Sequence, residues 1–280
     1  MAYKTILVHA DGSRGQAQRI ELAAALAEQE EAHLVCAAMT GISRFVCGSP
    51  DALANGIVRP DLIDLVRRNA RETLDNATSK LSRLGVESLE TRLVDDDAYS
   101  GLLLQSRYAD LVILGQADRD DPATGALLQD LPEYIMLNGC RPVLLVPFAG
   151  QLAPINGTAI VAWDGSLQSA RAITQAIPLL RRAQRVIVAL FDPVVGPDEH
   201  GESPGADIAL YLARHRINVD VMRQRACGDT GEALLTMADR FHAGLLVMGA
   251  YGHSRFREIA LGGVTRTVLN TMTLPVLLSH

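Results

Sequence analysis

Along the chain, short apolar runs alternate with stretches in which apolar residues return every three or four positions, and the whole alternation occurs twice. Runs of four to seven apolar residues bounded by turn residues predict buried strands, and the 3.6-residue period predicts helices packed by one face. In the first pass the strands are Thr5–His9, His33–Met39, Ser88–Val94, Leu111–Leu114 and Pro142–Pro147. Between them, helices are expected from about Arg14 to Glu30, over Asp61–Leu84 with Gly85 as its stop, over Ala98–Tyr108, and in a short segment before Pro142. Thr40–Pro60 is a long connection carrying Gly and Pro, and Gln116–Gln129 is an acidic one. Phe148–Gly157 has no period and reads as a linker. The second pass gives strands Thr158–Ala162, Arg185–Leu190, Ile217–Arg223, Leu245–Met248 and Thr273–Leu278, with helices over Ala170–Arg182, Gly205–His215 and Thr230–Phe241 and another after Gly263.

Three anchors show that the second pass repeats the first. HADGS at His9–Ser13 answers AWDGS at Ala162–Ser166, ADLVILG at Ala109–Gly115 answers AGLLVMG at Ala243–Gly249, and CRPVLLVP at Cys140–Pro147 answers TLPVLLSH at Thr273–His280. Anchors in the same order argue for duplication of one βαβαβαβαβ unit, which implies two α/β domains, residues 1–148 and 157–280. Each is expected to be an open, five-stranded parallel sheet with helices on both faces and right-handed crossovers.

The richest stretch is Leu245–Leu269, LLVMGAYGHSRFREIALGGVTRTVL. A buried strand ends at Met248, Gly249 and Gly252 follow, and Gly262-Gly263-Val264-Thr265 opens a helical pattern. Glycines let a ligand approach the main chain, and a helix start offers unpaired N–H groups to an anion. Gly263, Val264 and Thr265 can present successive N–H groups, with the Thr265 hydroxyl as a further donor. Either glycine pair alone reads as an ordinary turn or helix start. Together, after a strand, they outline a phosphate cradle. Asp164 follows the first strand of the same copy, at the carboxyl edge where open α/β sheets bind ligands, and is either a ligand contact or a turn residue in Asp-Gly-Ser.

Composition narrows the classes. The chain has 280 residues, 48% hydrophobic and 21% charged, enough for sizeable cores; aromatics are 4%, so Leu, Val, Ile and Ala must build them. A net charge of −6 without a basic run argues against nucleic acid as a partner. No apolar stretch is long enough to span a bilayer, and Met1–Lys4 leads straight into a strand-like run without a signal sequence, so a cytoplasmic protein with no membrane partner is expected. The four cysteines are scattered and form no C-x2-C pair, which suits reduced thiols, with Cys36 a packing residue. No metal site can be assembled from the sequence.

The stretch Gly249–Thr265 resembles the signature of the nucleotide-binding branch of the universal stress protein family, G-x2-G-x9-G followed by Ser or Thr. Gly249, Gly252 and Gly262 match; Gly263 stands where Ser or Thr is usual, Thr265 matches a position commonly Thr or Ser, and Tyr251 stands where Arg or His is frequent. The resemblance extends over nearly the whole chain as a tandem pair. It implies the universal stress protein fold, akin to the adenine nucleotide alpha-hydrolases, with the copies paired through their last strands as an intrachain pseudo-dimer. It also implies ATP, accompanied by Mg²⁺, in the second copy: Asp164 at the nucleoside, Ala162, Leu190 and Met248 around the adenine slot, and Gly249, Gly252, Gly262, Gly263, Val264 and Thr265 at the phosphates. In the first copy Asp118, Asp120, Asp121 and Pro122 replace the glycine loop. Like charges at about 4 Å cost roughly 4 kcal/mol at an effective dielectric near 20, so no triphosphate is expected there and the acidic run reads as a solvated loop.

The implied function is a nucleotide-dependent regulatory or stress-response module, in which ligand orders Tyr251–Leu261 for a protein partner. A slow ATP hydrolase is a weaker reading, because no G-x4-G-K pattern with its Lys is present and His253 and Glu258 have no fixed role. A third is an interaction protein that binds no nucleotide. Apolar strand edges allow association into a homodimer.

Overall fold

In the computed structural model, residues 2–47, 59–122, 128–193, 203–226, 228–251 and 263–280 are described. The chain divides into two compact units, Ala2–Phe148 and Ala149–His280. In the first, strands β1 (Thr5–His9), β2 (His33–Met39), β3 (Leu89–Val94), β4 (Leu111–Gly115) and β5 (Val143–Val146) form a parallel sheet in the order β3-β2-β1-β4-β5. In the second, β6 (Thr158–Ala162), β7 (Arg185–Phe191), β8 (Val219–Gln224), β9 (Ala243–Gly249) and β10 (Val276–Ser279) repeat that order as β8-β7-β6-β9-β10, again parallel. Each sheet reverses direction of growth beside its first strand, so each has a crevice at the carboxyl ends of β1 and β4, or of β6 and β9.

The central strands are buried on both faces, as their unbroken apolar runs require; Ile6, Val8, Leu111 and Ile113 in one unit and Ile160, Val161, Leu245 and Leu246 in the other are shut off from solvent. Neighbouring residues of a strand point to opposite faces. Thus Ala38 and Thr40 meet the helix Pro60–Arg83, while the sulfur of Met39 lies 3.1 Å from the Cβ position of Gly101 in the helix Ala98–Ser106. Helices therefore cover both faces, as expected. The stop at Gly85 is as read: its φ is 79°, its N–H donates to Ser82 O, and Val86 N–H reaches back to Leu81 O.

Five strands, β4, β7, β8, β9 and β10, extend one residue past their expected ends, and two of the extensions bear on the cleft described below. β7 runs to Phe191 rather than Leu190, and β9 runs to Gly249 rather than Met248. Cys36 is buried in β2 as a packing residue, with burial pushing its thiol up to about 12 against a small opposing pull from Arg19.

Candidate functional site

The site of the second unit begins where β6 ends. Trp163 N–H still donates to Ala189 O at 3.0 Å, and the chain then turns sharply: Asp164 Oδ1 accepts from Ser166 N–H at 3.0 Å, and Gly165 takes a φ of 77°. Ser166 caps the next helix, Leu167–Leu180, its hydroxyl accepting from Ser169 N–H at 3.1 Å. Asp164 is thus the turn residue and Ser166 the cap. The carboxylate of Asp164 nonetheless lies on the wall of the crevice, exposed to solvent.

β9 passes beneath this helix start, and the passage explains Gly249. A Cβ there would sit 2.5 Å from Ser169 N and 2.6 Å from the carbonyl carbon of Gln168. The missing side chain of Gly249 makes room for the helix Leu167–Leu180, while its main chain borders the crevice. Beyond it, Ala250 N–H donates to Ser279 O at 2.9 Å, and Tyr251, with φ at 56°, donates its N–H to Thr265 Oγ1 at 3.4 Å. Buried Thr265 thereby ties the start of the helix Gly263–Thr271 to the end of β9. Gly252 and Gly262 lie outside the described residues.

A second clamp holds the opposite wall. Asp229 caps the helix Thr230–Arg240 by accepting from Glu232 N–H at 3.0 Å, and its other oxygen accepts from Thr267 Oγ1 at 3.1 Å. Gly231 carries no Cβ, which would meet Thr267 Cβ at 2.8 Å, so the helices Thr230–Arg240 and Gly263–Thr271 approach closely.

Between these elements lies a cleft of about 300 Å³. Ala162, Trp163 and Asp164 line it from the β6 side, Ala189 and Phe191 from β7, and Thr230 and Leu234 from the helix wall. Met248, Gly249 and Tyr251 close it from β9, and Gly263, Val264 and Thr265 stand at its mouth as a helix start. Seven of the residues singled out in the sequence, Ala162, Asp164, Met248, Gly249, Gly263, Val264 and Thr265, are therefore brought together. Leu190 is not. Its side chain points to the other face, with Cδ1 2.8 Å from the Cβ position of Gly205, because adjacent strand residues alternate. Ala189 and Phe191, one position to either side, take the place expected for it.

Trp163, Ala189, Phe191, Thr230 and Leu234 were missed in the sequence, and Tyr251 was noted there as a departure from the family motif and the start of the segment ordered by ligand. Trp163 had a signal, being the chain's only tryptophan and the neighbour of Asp164. Chemically, the cleft offers aromatic and aliphatic walls for a flat ring, one carboxylate that can accept hydrogen bonds from hydroxyls, and a helix start for an anion.

The equivalent place in the first unit is built differently. Arg19 is fully buried where the second unit has Ala172; its Nε donates to His9 O at 2.9 Å and its Nη2 to Asp11 Oδ1 at 2.5 Å. Gly115 leaves room for this guanidinium, which a Cβ would strike. Burial alone would raise the pKa of Asp11, but Arg19, His9 and two hydrogen bonds from Ser13 outweigh it and hold the carboxyl far below the usual range. His9 moves the other way for its class: burial, aided by Arg19 and opposed by Asp11, lowers it to about 4. The acidic run is not the solvated loop expected. Asp118 and Asp121 are buried; Asp118 pairs with the Arg14 guanidinium and Asp121 accepts from Arg14 N–H at 2.6 Å, while Asp120 alone of the three is exposed. Carboxylates here hold the groups that an anionic ligand would otherwise compete for.

Residues 156–280 match the model of the Universal stress protein family. The universal stress protein Slr1230 of Synechocystis sp. is 26% identical over 216 residues, which cover 76% of this chain and 72% of that protein. A universal stress protein structure from Archaeoglobus fulgidus aligns over 98% of this chain and 95% of its own, with 17% identity and a TM-score of 0.69, a likeness of fold. Another from Archaeoglobus fulgidus, solved in complex with dAMP, covers 52% of this chain and 98% of its own at 17% identity and a TM-score of 0.37.

Proposed function

We propose, from the match of residues 156–280 to the universal stress protein family, that the cleft of the second unit binds an adenine nucleotide, with ATP its physiological ligand. One observation carries the reading: the hydrogen bond from Tyr251 N–H to Thr265 Oγ1 sets the start of the helix Gly263–Thr271 at the mouth of the same cleft whose floor holds Trp163, Phe191 and Asp164. A base would stack in the apolar interior, the ribose hydroxyls would donate to Asp164, and the phosphates would leave past Gly263, Val264 and Thr265, where N–H groups and the helix dipole favour negative charge. The volume suits the nucleoside, with the phosphates reaching toward solvent.

Among the described residues, no group of three or more His, Cys, Asp or Glu is placed to hold a metal ion. Mg²⁺ would accompany the ligand as the nucleotide's own counter-ion, held by phosphate oxygens and water. Contacts to Tyr251 and Gly263 would couple the ligand to the segment between them, residues 252–262, which lies outside the described residues. A partner protein that reads this segment would sense nucleotide, which is the regulatory role proposed. Mass spectrometry of the denatured, freshly purified protein tests the ligand: an adenine nucleotide released in a fixed ratio supports the proposal. A preparation without any, which also fails to take up ATP or AMP in titration calorimetry, overturns it.

A further inference from the structure

The first unit has a cavity on the sheet face opposite to the one that forms the cleft in the second. Its floor is the end of β2, and its roof is one face of the helix Pro60–Arg83, which supplies Val66, Asn69, Ala70 and Thr73 at helical spacing. The reason for the space is legible from the strand registers. His9 pairs with Ala37 as Ala162 pairs with Ala189, so Ala38 occupies the position of Leu190. In the second unit that leucine fills this level of the fold by reaching Gly205; in the first, a methyl group leaves about 210 Å³ open.

The lining is mostly polar and contains an unanswered group. Thr40 is 7% exposed, and its Oγ1 is buried without a hydrogen-bond partner among the described residues, although its N–H is satisfied by Val94 O at 3.0 Å. A buried hydroxyl left alone is costly, so such groups are normally satisfied by something that enters the cavity. Asp11 also borders it. One of its oxygens accepts from Arg19 and from Ser13 N–H; the other lies 3.8 Å from His9 Nδ1 and retains acceptor capacity. Asn69 and Thr73 face these groups from the helix. The lining holds one charged side chain, a carboxylate, and neither a cation nor an aromatic ring among the described residues. The carboxylate is already paired with Arg19, so a phosphate would find no counter-charge among the lining residues and a base would have nothing to stack on, whereas a molecule whose groups both donate and accept would satisfy Asp11, Thr40 and the amide together. The space corresponds to roughly seven waters at about 30 Å³ each.

We propose that the cavity between β2 and the helix Pro60–Arg83 is a binding site for a small uncharged polyol of monosaccharide size, held by Asp11, Thr40, Asn69 and Thr73. The site is separate from the nucleotide cleft and does not depend on it.

The test uses the full chain and three probes, D-glucose, D-ribose and myo-inositol, with backbone amide shifts followed by NMR. At least one probe is expected to move the amides of Asp11, Thr40 and Thr73 saturably. Ala38→Leu, which supplies the side chain found at the matching place in the second unit, is expected to abolish the effect, and Thr40→Val to weaken binding roughly tenfold. If none of the probes moves these amides, the cavity holds solvent only and the proposal is wrong. Undiminished binding in folded Ala38→Leu overturns it as well. Should Ala38→Leu fail to fold, Thr40→Val, which keeps the shape of the side chain, decides, and unchanged affinity there overturns the proposal.

Discussion

Gly249 and Gly263 belong to one sequence pattern but are required for different reasons, and single alanine substitutions separate them. At Gly249 an added Cβ would lie 2.5 Å from Ser169 N, 2.6 Å from Gln168 C and 2.9 Å from Gln168 Cβ. Comfortable contacts between such atoms begin near 3.5 Å, so the helix start must retreat by about 1 Å. The obstacles include main-chain atoms that cannot rotate away, and Ser169 is itself buried and fixed by its hydrogen bond to Ser166 Oγ. Overpacking of this kind costs about 1–3 kcal/mol, and a loosened Ser166 cap adds about 1 kcal/mol. For a unit of this size the expected loss is roughly 10 °C in the melting of the second unit. At Gly263 no atom of the described residues lies within 4 Å of the Cβ position and φ is not in the left-handed region, so Gly263→Ala is expected to melt at or slightly above the parent temperature. Calorimetric melting of both variants is the assay. A Gly249→Ala protein that melts like the parent would refute the packing explanation, and equal damage from Gly263→Ala would refute the claim of open space beside that residue.

Other consequences concern the buried polar cluster and the proposed anion site. Arg19→Met leaves the carboxylate of Asp11 buried without its cation and is expected to destabilise the first unit by about 3–5 kcal/mol, measured by urea unfolding. Because His9 binds its proton less readily folded, with a pKa of about 4 against an ordinary 6.5, the unfolded chain takes up protons first as pH falls, and stability is lost between those values. At about 1.4 kcal/mol per pH unit, this window accounts for up to about 3 kcal/mol, and His9→Ala is expected to flatten that part of the stability–pH curve. Gly263→Ser has room for its hydroxyl and is expected to tighten ATP binding several-fold in titration calorimetry.

The order of elements, and its recurrence in the two units, were legible because the strands are buried on both faces and therefore write unbroken apolar runs, such as Leu111–Leu114 and Leu245–Met248. What failed was one-residue precision at strand ends. β7 ends at Phe191 rather than Leu190, and a step of one residue along a strand reverses the side chain, so the side chains of Ala189 and Phe191 face the cleft and that of Leu190 does not. The role of Gly249 was hidden for another reason: close passage beneath a helix and close approach of a ligand ask the same thing of a glycine, and composition alone does not distinguish them. The acidic run could have been read more closely, because Arg14 and Arg19, replacing Leu167 and Ala172 of the second unit, are unusual on an otherwise matching segment and supply the charges that bury Asp118 and Asp11.

The central claim is that one adenylate binds between Trp163 and the start of the helix Gly263–Thr271. Trp163 is the only tryptophan in the chain and lines that cleft, so its fluorescence reports on this site without a label. Titration with AMP or ATP is expected to change its emission saturably, with one ligand per chain at the end point. Emission that stays constant while calorimetry registers bound nucleotide would place the ligand elsewhere and contradict the account.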